Sequence, residues 1–325
     1  FMKKYLQLLL LPVFLIFLSS CEKEESIFNF SDEQVDVFNA FDWDFSKQGI
    51  LKVENITENI SVIFGYGGNI LVSTGTDGTL IVDSQFPQLN KSILEEVEKL
   101  GGSNIDYIIN THWHFDHAEG NRAFGPTGST IIAHENSREF MKNNNEIDIV
   151  LVKYPQQPYP NDSLPTITFK DKMALNFNNN NISLFNFGPA HTTGDTIIFF
   201  KEENVIHFGD ILNIDSMVFI DSGNGGSLSG MINNLEEALK IINKETIVVP
   251  GHGQITDYET VKIYLESLII SRERLLEMIN QNMQLADIIE NNPIKDLENI
   301  LGDTSVLIDR AYLSLTRNKT IEQGR

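Results

Sequence analysis

Short apolar runs rich in β-branched residues recur along the middle of the chain and predict strands. The sequence Gly75-Thr76-Asp77-Gly78-Thr79 separates two of them and is typical of a tight hairpin turn. Another hairpin turn is predicted at residues 178–181, a run of asparagines. The predicted strands are residues 60–64, 70–73, 80–82, 105–110, 131–133, 166–169, 174–177, 182–187, 196–200, 205–208 and 247–249.

Apolar residues three to four positions apart predict helices between these strands. Residues 93–100 form one such pattern and are followed by Gly101-Gly102, which can end a helix. Residues 231–242 form another, and the chain is mostly helical in pattern from Tyr258 onward. Since no linker-like stretch interrupts the middle, we expect one domain over residues 46–270 and a helical extension over residues 271–325.

The segment from residue 143 to residue 165 is predicted to be a long loop. It is polar and contains four prolines. Loops of this length often serve as lids or walls of a binding site. A solvated connection without such a role is the alternative.

The first twenty residues resemble an export signal rather than part of a fold. A basic start, Met2-Lys3-Lys4, precedes an apolar stretch and then Leu18-Ser19-Ser20-Cys21. The stretch is short for a membrane-spanning helix. The arrangement resembles a bacterial lipoprotein signal (residues 1–20) with Cys21 as the lipidated residue, followed by a flexible tether over residues 21–45. An ordinary signal peptide or a short anchor is the alternative.

The resemblance at Cys21 implies an exported lipoprotein, in the periplasm or tethered at the outer membrane or cell surface. Its contact with a membrane would run through the N-terminal lipid only.

Composition narrows the possible partners. The chain has 325 residues and a formal net charge of −21, which repels polyphosphate and argues against nucleic acid as the main partner. Phosphodiester substrates are disfavoured for the same reason. Because Cys21 is the only cysteine, neither an intrachain disulfide nor a zinc–thiolate site is expected.

A cluster of histidines directly follows the predicted strand at residues 105–110. Thr111-His112-Trp113-His114-Phe115-Asp116-His117 holds three of the seven histidines of the chain. Imidazole nitrogen and carboxylate oxygen are ligands that zinc accepts. Alternate residues of an extended segment share a face, so His112 and His114 can point to one ion. A turn after them can direct Asp116 and His117 to a nearby point.

Three later loops also carry ligand-competent side chains just after apolar runs. They contain His191, Asp210 and His252, and each loop includes a glycine. Loops at strand ends are places where a rigid sheet can hold ligands in fixed geometry.

The ordered set resembles the metallo-β-lactamase superfamily, over roughly residues 50–270. The resemblance implies an α/β (α+β) fold, an αββα four-layer sandwich in which two sheets pack face to face. It implies that two Zn²⁺ ions are bound, with iron or manganese as alternatives. One ion would be held by His112, His114 and His191, the other by Asp116, His117 and His252, with Asp210 as the bridge. A water shared by the two ions would act as hydroxide on the substrate.

Other residues receive secondary roles. Asp116 is expected to orient the nucleophile and pass a proton to the leaving group. Asp83 is a candidate to accept the free N–H of a metal-bound histidine, or else a simple strand cap. His134 and His207 are expected to be structural. Trp113 and Phe115 are expected to pack beside the metal loop rather than to contact substrate.

The superfamily acts on many substrates, so the resemblance does not fix one. An acid at Asp210, with no cysteine available, is closer to the thioesterase and lactonase branches. We therefore expect a hydrolase of a small ester, lactone, thioester or amide. A β-lactamase and a catalytically silent metal-binding or sensor protein are the alternatives.

Overall fold

Seven strands form the first of two large sheets in the computed structural model, which describes residue 28 and residues 30–323, with side chains given through Arg317. The predicted signal, Cys21 and most of the predicted tether before Phe30 lie outside the described residues. The sheet has the order β1-β2-β3-β4-β5-β6-β9, antiparallel from β1 to β4 and parallel from β4 to β9. Its strands are β1 (Lys52–Asn55), β2 (Ile60–Phe64), β3 (Ile70–Gly75), β4 (Gly78–Val82), β5 (Tyr107–Ile109), β6 (Thr130–His134) and β9 (Ile167–Phe169).

Five strands form the second sheet, in the order β10-β11-β12-β13-β14. Adjacent strands in this sheet are antiparallel, except that β13 and β14 are parallel. The strands are β10 (Lys172–Phe177), β11 (Asn180–Phe185), β12 (Ile197–Phe200), β13 (Val205–His207) and β14 (Ile247–Val249). A separate antiparallel hairpin consists of β7 (Asn145–Asp148) and β8 (Lys153–Gln156).

Helices flank both sheets. None of them, among the described residues, combines the length and apolarity needed to cross a bilayer. They are α1 (Asp32–Ala40), α2 (Asn90–Lys99), α3 (Phe115–Ala118), α4 (Asn121–Phe124), α5 (Glu135–Lys142), α6 (Leu228–Leu239), α7 (Tyr258–Asn280), α8 (Leu285–Asn291), α9 (Glu298–Leu301) and α10 (Thr304–Gln323).

Alternation along the strands builds three buried layers. In β4, Leu80 and Val82 pack into a cluster that joins the two sheets, whereas Ile81 faces a second cluster with α1 and α2. In β12, Ile198 belongs to the cluster between the sheets, and Ile197 packs against α6 and α7. Side chains that alternate in this way bury both faces of each sheet. The predicted αββα sandwich is therefore confirmed.

The segment predicted as a flexible tether, residues 21–45, is folded from Ser31 onward. Ser31 caps α1, and its side chain and that of Gln34 form a capping box. Phe38 lies at the centre of an aromatic group, with ring centroids 5.7 Å from Phe86 and 5.4 Å from Phe45. Only three apolar residues of α1 mark it in the sequence, so its stability comes from this packing rather than from a helical pattern.

The prediction of an unstructured loop over residues 143–165 was wrong in part, because the segment contains the β7–β8 hairpin. Ile147, Ile149 and Tyr154 from this segment are buried in the same cluster as α1. The hairpin therefore packs onto the first sheet and does not simply connect two elements.

The C-terminal helices are part of the main fold rather than an appendage. The predicted boundary at residue 270 falls inside α7, which is continuous from Tyr258 to Asn280. Leu275 of α7 and Leu307 and Ile308 of α10 are buried in one cluster with the second sheet. The helical prediction is correct, and the helices form the outer layer on this side.

Candidate metal centre

The predicted site residues converge at one edge of the sandwich. Asp83 follows β4, His112 follows β5, Asp210 follows β13 and His252 follows β14. Because β4 and β5 are parallel, and β13 and β14 are also parallel, the carboxyl ends of these strands meet. His191 precedes β12, which is antiparallel to β13, and therefore reaches the same edge.

His112, His114 and His191 form the first group of potential ligand atoms. His114 Nε2 lies 3.0 Å from Asp221 Oδ2, and His191 Nδ1 lies 2.8 Å from the carbonyl oxygen of Phe219. Both partners only accept hydrogen bonds, so those ring nitrogens carry the protons. The other two nitrogens, His114 Nδ1 and His191 Nε2, then present lone pairs to each other at 2.8 Å.

His112 completes this first group. Its Nε2 is buried and has no hydrogen-bonding partner among the described residues. Burial lowers the pKa of His112, and the neighbouring His117 lowers it further, well below its usual value. A cation between these ring nitrogens would satisfy their lone pairs, and two nitrogens on one tetrahedral zinc ion lie about 3.4 Å apart. The donor set fits such an ion.

Asp116, His117 and His252 form the second group. His117 Nε2 and His252 Nε2 are 3.2 Å apart, and His252 Nε2 lies 3.1 Å from Asp116 Oδ2. His117 Nδ1 donates to a carboxylate behind it, so its Nε2 is the atom that faces the group. Burial lowers the pKa of His117, but the carboxylates around it outweigh burial and raise that pKa well above its usual value, so a cation bound here would replace the proton on Nε2. Two nitrogens and one carboxylate oxygen again suit a divalent cation.

Asp210 lies between the two groups. Its Oδ1 is 3.0 Å from His117 Nε2, and its Oδ2 is 3.7 Å from His191 Nε2 and 3.6 Å from His252 Nε2. Burial raises the pKa of Asp210, but His117 and His252 outweigh burial and hold the pKa well below its usual range. An ionised carboxylate in this position can contact both groups at once.

Asp83 lies behind the ligands, as the sequence predicts for a residue that orients them. Its Oδ2 accepts from His117 Nδ1 at 2.7 Å and from Thr111 Oγ1 at 2.7 Å. Thr111 Oγ1 in turn lies 2.9 Å from His112 Nδ1. One buried carboxylate thereby fixes the orientation of two imidazole rings from different groups.

Asp221 has the same role for His114, and the sequence analysis missed it. It is buried, follows the apolar run 217–220, and accepts from His114 Nε2. An acid just after an apolar run is the signal that identified Asp83 and Asp210. That signal was present here, but no strand was predicted before it, and none is formed.

Close packing of backbone against the site requires glycine at two positions. A Cβ atom at Gly68 would collide with the imidazole ring of His117, and one at Gly251 would collide with the carboxylate of Asp210. The loops after β2 and β14 can approach the ligands only because these side chains are absent.

The two histidines expected to be structural do not join either group. His207 Nε2 lies 3.0 Å from the carbonyl oxygen of Asn69, and its Nδ1 accepts from the amide of Gly209 at 3.0 Å. Both ring nitrogens are therefore engaged. His134 caps α5 by accepting from the amide of Asn136 at 3.1 Å.

A cavity of about 240 Å³ opens in front of the candidate ligands Asp116, Asp210 and His252. Trp113 packs away from it, stacked on Phe140 with ring centroids 4.6 Å apart. Phe115 stacks on Tyr154 and also lines the cavity, so whether it contacts a substrate stays a prediction.

The family model described as the metallo-beta-lactamase superfamily matches residues 56–252 of the chain. A probable metallo-hydrolase of Methanocaldococcus jannaschii is 27% identical over 194 residues, 58% of this chain and 84% of that protein. A type 2 metallo-beta-lactamase of Bacillus sp. strain 170 is 24% identical over 221 residues, 65% of this chain and 80% of that protein. The solved metallo-beta-lactamase from Pontibacter korlensis superposes with a TM-score of 0.56 at 15% identity, covering 67% of this chain and 98% of that chain.

Proposed function

The chain belongs to the metallo-beta-lactamase superfamily, and from this membership and the geometry of its site we propose that it is a metal-dependent hydrolase of a small ester, lactone, thioester or amide. The observation that carries the proposal is the pair of candidate ligand groups, in which imidazole nitrogens face one another beside Asp210. His114, Asp116, Asp210 and His252 of these groups line a cavity with room for a small substrate.

Two divalent ions held by these groups, zinc by ligand preference with iron or manganese as alternatives, would acidify a water and polarise the scissile carbonyl. The chain supplies the remaining functions. Asp83 and Asp221 hold the rings of His117 and His114 in the tautomers that leave their ligand atoms free. Asp116 lines the cavity and can accept a proton from the attacking water and deliver it to the leaving group.

Metal content and turnover test this proposal together. Protein loaded with zinc should contain two ions per chain and hydrolyse at least one member of a panel of acyl-homoserine lactones, thioesters and phenyl esters. Asp210→Ala should lose the second ion first and most of the turnover, because both groups share this carboxylate. Asp171→Ala, an exposed acid outside the site, is the matched control. Metal content near zero, or full metal content without turnover of any member, would refute the proposal.

A β-lactamase is the second candidate, because several similar proteins are metallo-beta-lactamases. Among the described residues that line the cavity there is no lysine or arginine. A bicyclic β-lactam carries a carboxylate beside its ring, so it would find no cationic side chain there. Nitrocefin in the same panel separates the two candidates, since turnover comparable to the best ester would establish the β-lactamase.

We also propose that the protein is an exported lipoprotein anchored through Cys21, on the strength of the sequence Leu18-Ser19-Ser20-Cys21 after an apolar stretch. The Cys21→Ser variant, expressed in a bacterium that processes lipoproteins, should move from the membrane fraction to the soluble fraction. Membrane attachment that survives this substitution would contradict the proposal.

A further inference from the structure

The cavity in front of the candidate metal centre is lined mainly by carbon surface. Its apolar wall is formed by Phe41, Trp43, Ile147, Met217 and Phe219. The polar lining consists of the candidate ligands at the floor and three uncharged residues, Tyr66, Asn213 and Ser216. A substrate with its scissile bond at the floor must therefore place a neighbouring group against carbon surface.

The charges around the cavity also restrict the group that can lie against this wall. The described residues around the cavity include the carboxylates of Asp116 and Asp210 and no lysine or arginine. A carboxylate on the part of the substrate next to the wall would lose its hydration without gaining a cationic partner, which is costly. The wall therefore favours an uncharged group and excludes an anionic one.

Two segments outside the predicted metal loops supply three of the five residues of this wall. Phe41 and Trp43 precede residues 56–252, which match the family model, and Ile147 comes from the β7–β8 hairpin. The rings of Phe41 and Trp43 are stacked with centroids 4.8 Å apart, and Trp43 lies 5.1 Å from Phe86. Because Phe86 is buried in the core, the wall is fixed to the first sheet.

We propose that this wall selects substrates that carry a small, uncharged, apolar group beside the scissile carbonyl, and that Trp43 and Met217 determine this specificity. The inference rests on the proposed hydrolase function. The cavity lies below the ~300–1,000 Å³ typical of sites for drug-sized ligands, so the group it accepts is short.

A homologous series of phenyl esters tests the apolar wall in the zinc-loaded protein. From acetate to butyrate to hexanoate, kcat/KM should rise about fourfold per methylene until the cavity is filled. Trp43→Ala and Met217→Ala, two separate substitutions in this wall, should each flatten the rise. Met217 lies outside the aromatic stack, so its variant remains informative if Trp43→Ala does not fold. Val35→Ala, on the exposed face of α1, is the control that should keep the wild-type slope.

Charge selection is tested with two esters of equal carbon count, phenyl hexanoate and the monophenyl ester of adipate, whose chains end in a methyl group and a carboxylate. The wild-type protein should prefer the hexanoate at least tenfold in kcat/KM. Ser216→Lys places a flexible cation at the cavity and should lower that preference at least tenfold. A wild-type protein that hydrolyses the adipate ester as fast as the hexanoate would overturn the inference while leaving the hydrolase function intact.

Binding without turnover separates this inference from the proposed function. The chain has two tryptophans, and in a Trp113→Phe background Trp43 is the only reporter. Titration with 2-octanone should change its fluorescence at lower concentration than titration with 7-oxooctanoate, which differs only in its terminal carboxylate. This order of binding with no ester turnover would refute the hydrolase and retain the apolar site. Equal or tighter binding of 7-oxooctanoate would refute the site.

Discussion

At the scale of single residues, the geometry of the candidate metal centre depends on the candidate ligands and equally on the carboxylates that hydrogen-bond to them from behind. Asp83 and Asp221 each accept from the ring nitrogen that does not face the site. A histidine with one nitrogen protonated by such a partner keeps its other nitrogen available as a ligand. The positions of these two carboxylates therefore decide that His117 offers Nε2 and His114 offers Nδ1.

Removal of Asp221 should weaken metal binding without unfolding the protein. Asp221→Ala leaves His114 Nε2 without its acceptor, so the ring can rotate or change tautomer, and zinc affinity should fall about 10- to 100-fold. Competition with a chromogenic chelator measures this affinity, and circular dichroism verifies the fold.

Asp221→Asn is the matched variant, because its amide oxygen can still accept from His114. It should retain more zinc affinity than Asp221→Ala. If both variants bind zinc as tightly as the wild type, Asp221 does not position His114, and its bonds to Asn224 would be its only role.

The sequence was sufficient to name the candidate ligands, because each lies just after an apolar run or inside one dense histidine motif. The structure brings His191 next to His112 and His252 next to His117, from distant parts of the chain. The hydrogen-bond partners were harder to predict. The position of Asp221 is set by a short turn at Ser222–Asn224, which no hydrophobic periodicity predicts. Phe219 contributes only its backbone carbonyl, which any residue could supply.

At the scale of elements, the errors fall where tertiary packing overrides local pattern. Strands buried between or beneath layers, such as β2 and β14, were predicted with the bounds that they have. The α1 helix and the strands of the β7–β8 hairpin are short, and both segments pack into one buried cluster with residues of the first sheet. Phe41 and Trp43, just after α1, and Ile147 of the hairpin line the cavity, so the regions least evident in the sequence lie at the candidate site.

The α7 helix, which covers the second sheet, offers a test of a local stabilising contact. Asp257 caps its first turn by accepting from the amide of Thr260 at 2.9 Å. Asp257→Ala should lower the free energy of unfolding by about 1 kcal/mol at pH 7, as measured by urea denaturation. An effect indistinguishable from zero would mean that packing alone fixes the start of α7.

The pH dependence of this contact follows from the same hydrogen bonds. The backbone and side-chain bonds from Thr260 lower the pKa of Asp257 below its usual value. The contribution of the ionised Asp257 carboxylate to the free energy of unfolding is therefore fully present above the unfolded pKa of about 3.9. It is lost as the pH falls through the lower pKa of the folded state. Asp257→Asn, which caps without a charge, should not show this acid-dependent loss at that position.

At the scale of the whole molecule, the net charge and the cavity wall both disfavour anionic substrates. The chain carries a formal charge of −21, and the described lining of the cavity has no lysine or arginine. The long-range field therefore lowers the local concentration of anionic substrates before any contact forms. The wall then disfavours the same molecules at short range through desolvation.

Ionic strength separates the long-range contribution from the short-range one. The Debye length shortens from about 30 Å at 0.01 M salt to below 10 Å above 0.1 M, so added salt screens the surface field but leaves the cavity wall unchanged. For the monophenyl ester of adipate, kcat/KM should rise several-fold between about 0.01 and 0.3 M sodium chloride. For phenyl hexanoate it should stay nearly constant, which controls for effects of salt on the metal centre. The preference for the hexanoate should become smaller as salt is added but should not disappear. Salt does not screen the cost of desolvating the carboxylate of the adipate ester against Trp43 and Met217. A fall in the rate for the adipate ester with salt would instead reveal an attractive cationic region near the entrance and contradict this account.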